Sequence, residues 1–342
     1  MSPSQHRVVV YGAYGHTGRF VTAELIRRGL EPVLSGRDPE KLAAFAADHP
    51  ALEVRSASVD DPDSLLNALA GASVVINCAG PFLETGGPVA TAAVRSGVHY
   101  LDVSAEQAAV QQRYRDHAEA ARAAGTAVVP AMAFYGGLAD LMATAAVAGW
   151  TTIDEITVAI ALDRWWPTEG TRRTGARNTA PRLAVAGGRL TPISAPPRAR
   201  EWRFPEPFGP QRTVELPFSE IITMAAHLPA STIRSFFTTA ALQDLRDPST
   251  PAPVAVDSTG RSAQRFVVDV VATSGSRVRG FTVSGRDIYA SSAPIVVEAA
   301  VRLLEGGSTP AGVVAPGELF DADDVLEALT PDPLTIIRRP PA

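Results

Sequence analysis

Three glycines at a regular spacing, Gly12, Gly15 and Gly18, lie between two apolar runs in the sequence VVVYGAYGHTGRFVTAEL, residues 8–25. A β-branched run that stops at glycine predicts a buried strand, and the periodic run after it predicts a helix. Gly12 allows a tight turn, Gly15 removes a side chain that would keep an anion from the backbone, and Gly18 lets the helix pack close to the strand. Since a helix N-terminus attracts negative charge, this turn is typical of a pyrophosphate site. A glycine turn that binds nothing is the alternative.

The first 150 residues alternate short apolar runs with helical patterns. This alternation predicts right-handed βαβ units around a buried parallel sheet. Further along the chain, residues 153–162 and 264–274 are typical of antiparallel strands, whereas residues 164–217 show little periodicity. We therefore predict an α/β protein, in which a doubly wound parallel sheet carries an inserted α+β domain. The predicted boundaries are 1–135 for a dinucleotide-binding domain, 136–285 for an α+β substrate or oligomerisation domain, and 286–342 for C-terminal helices that return to the first domain.

The end of the second predicted strand carries positive charge, where a site for NAD would place a carboxylate. Ser35, Gly36 and Arg37 stand at this position, and Lys41 follows about one helical turn later. The planar fork of Arg37 suits a ribose 2′-phosphate, so we predict NADP(H) rather than NAD(H) as the cofactor. Asp38 is the counter-argument, but it fits better as the N-cap of the next helix. An exposed surface arginine is the alternative reading of Arg37.

Further cofactor-binding residues are predicted in the turns that follow the first, third and fourth strands. Asp60 either meets the adenine edge or, with Asp61, caps the helix that follows. Cys78 is expected to be a buried small residue rather than a nucleophile, because the sequence positions no base beside it. The residues predicted in these turns, besides the three glycines, are Tyr14, His16, Thr17, Asp60, Cys78, Ala79, Gly80 and Pro81.

Composition limits the chemistry and the partners of the chain. Cys78 is the only cysteine, so no internal disulfide is possible. A net charge of -5 argues against nucleic acid as the main partner. No long uncharged apolar run predicts a membrane segment, so we expect a cytoplasmic protein that acts on a small molecule and could form a homodimer. The six histidines are scattered without metal-ligand spacing, and no metal site is predicted.

Lys41 is the only lysine among 342 residues, and this excludes two mechanisms. The residue four positions before Lys41 is Arg37, so the Tyr-x-x-x-Lys pair of short-chain dehydrogenases cannot form. A Schiff base would also have to use this one side chain. Hydride transfer driven by positioning and by the electric field of the site remains the favoured chemistry.

Five segments together resemble the saccharopine dehydrogenase-like reductases, and most closely their short bacterial members, which include trans-acting enoyl reductases. These segments are GAYGHTG, SGRDPEKL, VVINCAGPF, GGPVATAAVRSGVHYLDVSAE and APIVVEAAVRLL. The resemblance implies a Rossmann domain, a mixed α+β substrate domain and a nicotinamide cofactor. It also implies that NCAGPF lines the nicotinamide end and that YLDVSAE forms part of a cleft wall. The family's GFDSVPSDL-type stretch reads AFYGGLADL here, so Asp140 and Leu141 match while the serine and the proline are missing.

The candidate proton donors are Asp102 and Tyr135, which lie just past predicted strand ends. A helix cap or a core-edge tyrosine is the alternative reading of each. Arginines near Trp165 and Trp166 could hold a substrate carboxylate, or they could form a surface or subunit contact. The predicted substrate-binding residues are Tyr100, Arg172, Arg173 and Arg177. The predicted function is NADPH-dependent reduction of a C=N, C=O or activated C=C bond; a non-catalytic NADP-binding regulator or scaffold is the alternative.

Overall fold

The computed structural model describes residues 7–306, 310–331 and 334–339. The chain forms two compact units. Unit 1 combines residues 1–133 with 292–314, and unit 2 combines residues 134–291 with 315–342.

The strands and helices of the first part of the chain follow one another in strict alternation. They are β1 (Val8–Tyr11), α1 (His16–Arg27), β2 (Val33–Gly36), α2 (Pro39–Ala46), β3 (Val54–Ser56), α3 (Pro62–Leu69), β4 (Val74–Asn77), α4 (Phe82–Arg95), β5 (His99–Asp102), α5 (Gln107–Ala124) and β6 (Ala127–Val129).

The rest of the chain is mostly strands. Its elements are α6 (Ala139–Val147), β7 (Ile153–Leu162), α7 (Glu169–Arg177), β8 (Leu183–Ala186), β9 (Arg189–Pro192), β10 (Ala199–Arg203), β11 (Pro210–Glu215), α8 (Glu220–His227), β12 (Ala230–Thr238), α9 (Thr239–Arg246), β13 (Arg265–Ser274), β14 (Arg277–Arg286), α10 (Ile288–Glu305), β15 (Gly312–Val313), α11 (Pro316–Leu319), α12 (Ala322–Ala328) and β16 (Thr335–Arg339).

The sheet of unit 1 has seven strands in the order β15-β6-β5-β4-β1-β2-β3, and every neighbouring pair is parallel. The strands β1, β2 and β4 are buried along their whole length. Near-continuous apolar strands are expected where helices cover both faces of a parallel sheet. The predicted α/β fold with a doubly wound Rossmann sheet is confirmed.

The sheet of unit 2 has nine strands, ordered β10-β11-β12-β7-β13-β14-β16, with β8 and β9 attached beside β12. The pair β7 and β12 is parallel, and the other pairs are antiparallel. The strand β7 and its partner β13 were both anticipated from their apolar runs. Helix α6 packs on β13 and β14, and most of its residues are buried.

The C-terminal part of the chain is divided between the two units. The strand β15 pairs with β6 in unit 1, whereas β16 pairs with β14 in unit 2. The predicted segment 286–342 therefore does not return to the first domain as a whole. The antiparallel pairing of β16 with β14, in which Ile336 lies opposite Val283, holds the tail on the second sheet.

Two local features differ from the sequence-based expectation. Residues 164–217 show little periodicity in the sequence, but they contain α7 and the short strands β8 to β11. Helix α4 starts at Phe82, so the two glycines of the GGPVATAAVRSG run lie inside it. At position 86 the helix packs closely on α5, because a Cβ on Gly86 would overlap with the guanidinium of Arg113. The glycine pair thus serves close helix packing rather than a turn.

Candidate cofactor and substrate sites

The glycine turn between β1 and α1 is held by the end of β2. The backbone N–H groups of Gly12 and Ala13 donate to the carbonyl oxygen of Ser35 at 2.8 and 3.1 Å. Gly12 has a φ of +84°, which an L side chain rarely adopts. A Cβ at Gly12 would also lie 2.9 Å from the backbone nitrogen of Ala79. The turn therefore needs glycine at this position for both its conformation and its packing.

The other two glycines have opposite surroundings. A Cβ at Gly18 would overlap with the carbonyl oxygen of Gly12 and lie 2.9 Å from the Cα of Ala13. A Cβ at Gly15 would meet only the carbonyl oxygen of Gly12, at 3.1 Å, and would otherwise point into open space. Gly18 thus permits the helix to pack against the turn, while Gly15 leaves the space in front of the helix free.

The N-terminus of α1 is open to an anion. The helix starts at His16, Gly15 is its N-cap, no side chain caps it, and its first turn, which includes Thr17, contains no acidic residue. The first N–H groups of a helix have no partner within it, and the helix dipole adds positive potential there. The residues present therefore fit a pyrophosphate, because the donors and the free space above Gly15 occur together.

The end of β2 is shaped by an aromatic ring. The ring of Tyr14 lies against Gly36, where a Cβ would come within 2.6 Å of a ring carbon. The hydroxyl of Tyr14 accepts a hydrogen bond of 3.3 Å from the backbone N–H of Asp38. Ser35 is fully buried, and its carbonyl oxygen holds the glycine turn. Tyr14, Ser35 and Gly36 thus stabilise the turn through packing and backbone hydrogen bonds.

The charged residues after β2 have separate roles. Asp38 caps α2 by accepting from the N–H of Lys41 at 3.1 Å, as predicted. The amine of Lys41 lies 3.4 Å from the same carboxylate. Arg37 is exposed, and among the described residues no ion pair or hydrogen bond holds its guanidinium. Lys41 thus pairs with Asp38, whereas the guanidinium of Arg37 is available to bind a 2′-phosphate.

The end of β3 places a second charge near Tyr11. Burial raises the pKa of Tyr11 to about 12; the charges of Tyr14 and Asp60 add to the rise, and that of Arg37 opposes it. Arg37 and Asp60 therefore lie close to Tyr11. Asp61 caps α3 by accepting from the N–H of Ser64 at 3.2 Å, while Asp60 is exposed. Of the two alternatives for Asp60, the capping role belongs to Asp61.

The turn after β4 joins the glycine turn directly. The N–H of Cys78 donates to the carbonyl of Tyr11 at 2.8 Å, and the N–H of Ala79 donates to Oδ1 of Asn77 at 3.0 Å. Gly80 and Pro81 continue the turn, and Pro81 is the N-cap residue of α4. Burial, assisted by the charge of Asp102, raises the pKa of the Cys78 thiol far above its usual value. A thiol in this state is a poor nucleophile, consistent with the structural reading of Cys78.

Asp102, one of the two predicted proton donors, is the centre of a buried network in unit 1. Its Oδ2 accepts from the hydroxyl of Tyr100 at 2.8 Å. Its Oδ1 accepts from the N–H and hydroxyl of Ser104 at 3.0 and 2.6 Å and from the N–H of Ala131 at 2.7 Å. Both oxygens are thus occupied by the chain itself, and the residue is 1% exposed. The geometry supports a positioning role for Asp102 rather than direct proton transfer.

Tyr100 is fully buried within the same network. Its hydroxyl receives a hydrogen bond of 3.2 Å from the Asn77 amide and donates to Asp102. Burial raises the pKa of Tyr100 well above its usual value, and the charge of Asp102 adds to this. The predicted contact between Tyr100 and a substrate is revised accordingly, because its hydroxyl faces Asn77 and Asp102 rather than an open surface.

Glu106 is a buried carboxyl close in sequence to Asp102. Its Oε1 accepts from the N–H of Phe82 at 3.0 Å, and its Oε2 accepts from the N–H of Ala105 at 3.1 Å. Burial raises the pKa of Glu106 despite these hydrogen bonds. The residue ties the start of α4 to the start of α5. Its position four residues after the aspartate of the DVSAE segment gave no sign of this role.

Tyr135, the other predicted proton donor, belongs to unit 2. Its ring stacks on Phe218 with 4.4 Å between ring centroids and lies near Trp165 at 6.1 Å. Its hydroxyl is buried and, within the described part of the chain, has no hydrogen-bond partner. Burial raises the pKa of Tyr135 well above its usual value. Asp102 and Tyr135 therefore lie in different units and in different surroundings.

The three predicted substrate arginines lie on α7, which buries none of its residues. Arg172 donates to the carbonyl oxygens of Asp247 and Thr250 at 3.2 and 2.7 Å. Arg173 lies 3.6 Å from Glu169, and Arg177 is exposed at the end of the helix. Arg172 thus holds a neighbouring loop, and this geometry does not support a carboxylate clamp formed by the three side chains.

Trp165 is buried, and its indole N–H donates to the hydroxyl of Tyr289 at 3.3 Å. It is therefore part of the core of unit 2 rather than a cover over the α7 arginines.

Among residues 7–306, 310–331 and 334–339, no group of three or more His, Cys, Asp or Glu side chains is arranged to hold a metal ion. No helix in these ranges is long and apolar enough to span a bilayer.

A parallel sheet with a glycine turn at β1 and a positively charged end of β2 is typical of the class of dinucleotide-binding Rossmann domains. Residues 8–129 match the family model of the saccharopine dehydrogenase NADP binding domain. Residues 8–129 are thus similar to the NADP-binding domain of saccharopine dehydrogenases, and the predicted resemblance and the predicted cofactor, NADP(H), are confirmed.

Similar proteins extend this assignment. A saccharopine dehydrogenase-like oxidoreductase of Bos taurus is 32% identical over 152 residues, which are 39% of this chain and 35% of the relative. The trans-acting enoyl reductase of Mycobacterium leprae is 33% identical over 154 residues, which are 41% of this chain and 36% of the relative. The matches thus span about a third of the length of these curated relatives.

A solved structure shares the fold over nearly the whole chain. The saccharopine dehydrogenase (L-Glu forming) of Saccharomyces cerevisiae matches with a TM-score of 0.66 and 14% identity, covering 98% of this chain and 100% of that one. At this identity the match shows the fold alone. It includes the second unit, which the family model over residues 8–129 does not cover.

Proposed function

We propose that this protein is an NADPH-dependent reductase that transfers a hydride to a C=N, C=O or activated C=C bond of a small organic molecule. The observation that carries the proposal is the open N-terminus of α1, which combines free N–H donors, no acidic side chain and open space above Gly15. Curated relatives of the NADP-binding domain are named oxidoreductases, which supports the same activity. The alternative, a regulator or scaffold that binds NADP without turnover, shares the cofactor site.

The residues of unit 1 have defined tasks in this proposal. The N–H groups at the start of α1 would hold the pyrophosphate, and Arg37 would pair with the 2′-phosphate. The bound cofactor supplies the hydride. Asp102 and Tyr100 fix the carboxyl ends of β4 and β5, because their hydrogen bonds join the two strands and the segment at Ala131. A rigid edge of the sheet is what hydride transfer needs, since its rate depends on the distance and angle between the reacting atoms.

The first test is cofactor binding followed by turnover. NADPH fluorescence and thermal unfolding measure binding without a substrate, and NADPH absorbance measures oxidation against a panel of imines, aldehydes, ketones and enones. We expect NADPH to raise the Tm and at least one compound class to accelerate its oxidation. Binding without oxidation across the panel would favour the regulator, and the absence of any Tm shift at millimolar NADPH would refute both. The cytoplasmic location and the homodimer stay predictions.

A further inference from the structure

Gly36, at the end of β2, makes room for the aromatic ring of Tyr14. A Cβ on Gly36 would come within 2.6 Å of a ring carbon, and the three atoms nearest to it all belong to that ring. Gly36 is buried, and it does not have the positive φ that would require glycine for the backbone alone. Glycine at this position therefore serves the packing of Tyr14 and fixes where the ring lies.

The backbone of Tyr14 is held from the other side by Arg19 on α1. The Nε of Arg19 donates to the carbonyl oxygen of Tyr14 at 3.1 Å. The guanidinium of Arg19 in turn lies over the ring of Phe45 on α2, 4.5 Å from its centroid. Both the backbone and the ring of Tyr14 are thus in place without a ligand, and a side chain that is already in place loses little conformational entropy when it binds one.

The hydroxyl of Tyr14 has a proton that the chain does not use. Its oxygen accepts from the backbone N–H of Asp38 at 3.3 Å. A tyrosine hydroxyl can accept and donate at the same time, and no acceptor for this O–H occurs in the part of the chain that the structure describes. Tyr14 is half-buried rather than enclosed. Its O–H is therefore available to donate to a bound ligand.

Arg37 begins directly beside this hydroxyl. The nitrogen that donates to the Tyr14 oxygen is the one bonded to the carbonyl carbon of Arg37, so the two side chains lie at the same edge of the sheet. Burial raises the pKa of Tyr11, the charge of Tyr14 adds to the rise, and that of Arg37 opposes it, which places both residues close to Tyr11. An O–H donor and an exposed guanidinium are thus neighbours.

The acidic residues near this edge leave Arg37 free. The carboxylate of Asp38 accepts from the N–H of Lys41 at 3.1 Å and lies 3.4 Å from its amine, so Lys41 offsets the charge of Asp38. Asp60, at the end of β3, is exposed and forms no ion pair with Arg37 among the described residues. The charge that remains for a ligand beside the Tyr14 hydroxyl is positive.

We propose that Tyr14 is a specificity-determining residue for the cofactor: its hydroxyl donates to the ribose 2′-phosphate of NADP(H), next to the guanidinium of Arg37. The carboxyl end of β2 is where a Rossmann domain meets the adenosine ribose. The inference rests on the proposed function and deepens it, because it assigns a second side chain, and the glycine that positions it, to recognition of the phosphate.

A hydroxyl donor at this point favours NADP(H) over NAD(H). The 2′-phosphate offers anionic oxygens, and a hydrogen bond to an ionised acceptor is roughly twice as strong as one between neutral groups. In NAD(H) the same hydroxyl would meet only a neutral 2′-OH. Tyr14 therefore adds to the discrimination by Arg37 without adding a charge that would also attract the pyrophosphate.

The test uses two ligands that lack the nicotinamide half, so that it needs no turnover. Isothermal titration calorimetry measures the affinities for 2′,5′-ADP and 5′-AMP, which differ by the phosphate at issue. We expect Tyr14→Phe to weaken 2′,5′-ADP binding by about tenfold and 5′-AMP binding by less than about twofold. The Tm should stay near that of wild type, because the ring and its packing on Gly36 remain.

Tyr11→Phe is the matched control, since it removes a neighbouring phenol from the same strand end. The Tyr11 hydroxyl is buried and donates to the carbonyl oxygen of Ala57 at 3.3 Å. Its loss should leave the affinities for both ligands at the wild-type level. The ³¹P resonance of the 2′-phosphate in bound 2′,5′-ADP gives a second readout, and Tyr14→Phe should shift it whereas Tyr11→Phe should not.

A double-mutant cycle tests the role of Gly36. Gly36→Ala in the wild-type background should displace the Tyr14 ring and weaken 2′,5′-ADP binding about as much as Tyr14→Phe does. In a Tyr14→Ala background the same substitution should change the affinity little, because the atoms nearest to the new Cβ belong to the ring that has been removed. Equal losses in the two backgrounds would contradict the positioning of Tyr14 by Gly36.

The inference and the proposed function fail in different ways. Wild-type affinity of Tyr14→Phe for 2′,5′-ADP would overturn the inference, and so would equal losses for 2′,5′-ADP and 5′-AMP, which would put the hydroxyl on the ribose or the adenine. Neither result affects the proposed function. Wild-type protein that binds neither NADPH nor 2′,5′-ADP would instead refute the proposed function itself.

Discussion

Arg37 is the residue whose charge separates the two nicotinamide cofactors. It is exposed beside Tyr11, and no described side chain neutralises it. We expect Arg37→Gln to raise the KM for NADPH by about 10–100-fold, the equivalent of one or two charged hydrogen bonds. The KM for NADH should change little, because NADH has no 2′-phosphate. Steady-state kinetics with both cofactors measures this, and Arg95→Gln, at an exposed arginine on α4, is the control. Equal changes for both cofactors would contradict the assignment.

Asp102 acts through the backbone it holds. Replacing it by Asn would place an N–H donor among the donors of Tyr100, Ser104 and Ala131. We expect Asp102→Asn to lower the free energy of unfolding by about 3 kcal/mol, since one buried donor must lose its acceptor. Urea unfolding measures this loss. Asp116→Asn, at an exposed carboxylate on α5, should be close to wild type. Equal midpoints for the two variants would show that the network is not needed for the fold.

At the level of single elements, helix α1 depends on a glycine for its contact with the turn. A Cβ at Gly18 would overlap with the backbone of Gly12, which cannot move away as a flexible side chain could. We expect Gly18→Ala to destabilise the protein by about 1–3 kcal/mol and to abolish the NADPH-induced rise in Tm.

Gly175 in α7 provides the matched control for this substitution. A Cβ at Gly175 would meet no atom within 4 Å. Gly175→Ala should therefore raise stability slightly, by about 0.4–1 kcal/mol, through helix propensity and a more restricted unfolded chain. Thermal unfolding of the two variants with and without NADPH gives the comparison. A Gly18→Ala variant that behaves like Gly175→Ala would refute the packing argument.

The elements of unit 1 could be predicted from the sequence because each one carries its own signal. The strand β1 is a run of β-branched residues, and the glycine after it marks the turn; the capping role of Asp38 followed from the Asp-Pro pair that opens α2. The strands β8 to β11 gave no such signal, because they are short and largely exposed. Their order comes from pairing with the distant β12, which overrides local preference.

The candidate site, like the fold, could be predicted only where neighbouring residues in the sequence carry the signal. The glycine turn and Arg37 follow from spacing alone. The contact of Glu106 with α4 does not, because the N–H that its carboxyl accepts from belongs to Phe82, 24 positions earlier in the chain. Tyr100 was misread for the same reason: a polar residue near a strand end can face either the ligand or the neighbouring strand, and only the register with β4 decides.

For the molecule as a whole, one buried ion pair should link stability to pH. In unit 2, Nε2 of His227 lies 3.2 Å from both oxygens of Asp140, which also accepts from the N–H of Gly317 at 2.7 Å. Burial alone would lower the pKa of His227, but the hydrogen bond and the charge of Asp140 outweigh it, so the pKa is raised above the usual 6.5. The pair thus ties α6, α8 and the start of α11 together.

The sign of this dependence follows from the raised pKa. The folded state binds the His227 proton more tightly than the unfolded state, so the contribution is complete below about pH 6.5 and disappears as the pH rises through the folded pKa. We expect the Tm of wild-type protein to fall over this window more steeply than that of His227→Gln. Thermal unfolding across the window measures the difference, and parallel curves for the two proteins would rule out a role for this pair.

The solitary lysine has a practical consequence. The Lys41 side chain is 70% exposed on α2, one turn from Arg37. An amine-reactive dye has no other side-chain target in the whole sequence. Apart from the terminal α-amine, chemical labelling would therefore attach a fluorophore to one known side chain beside the site proposed for the 2′-phosphate, and dinucleotide occupancy could be read optically without engineering the protein.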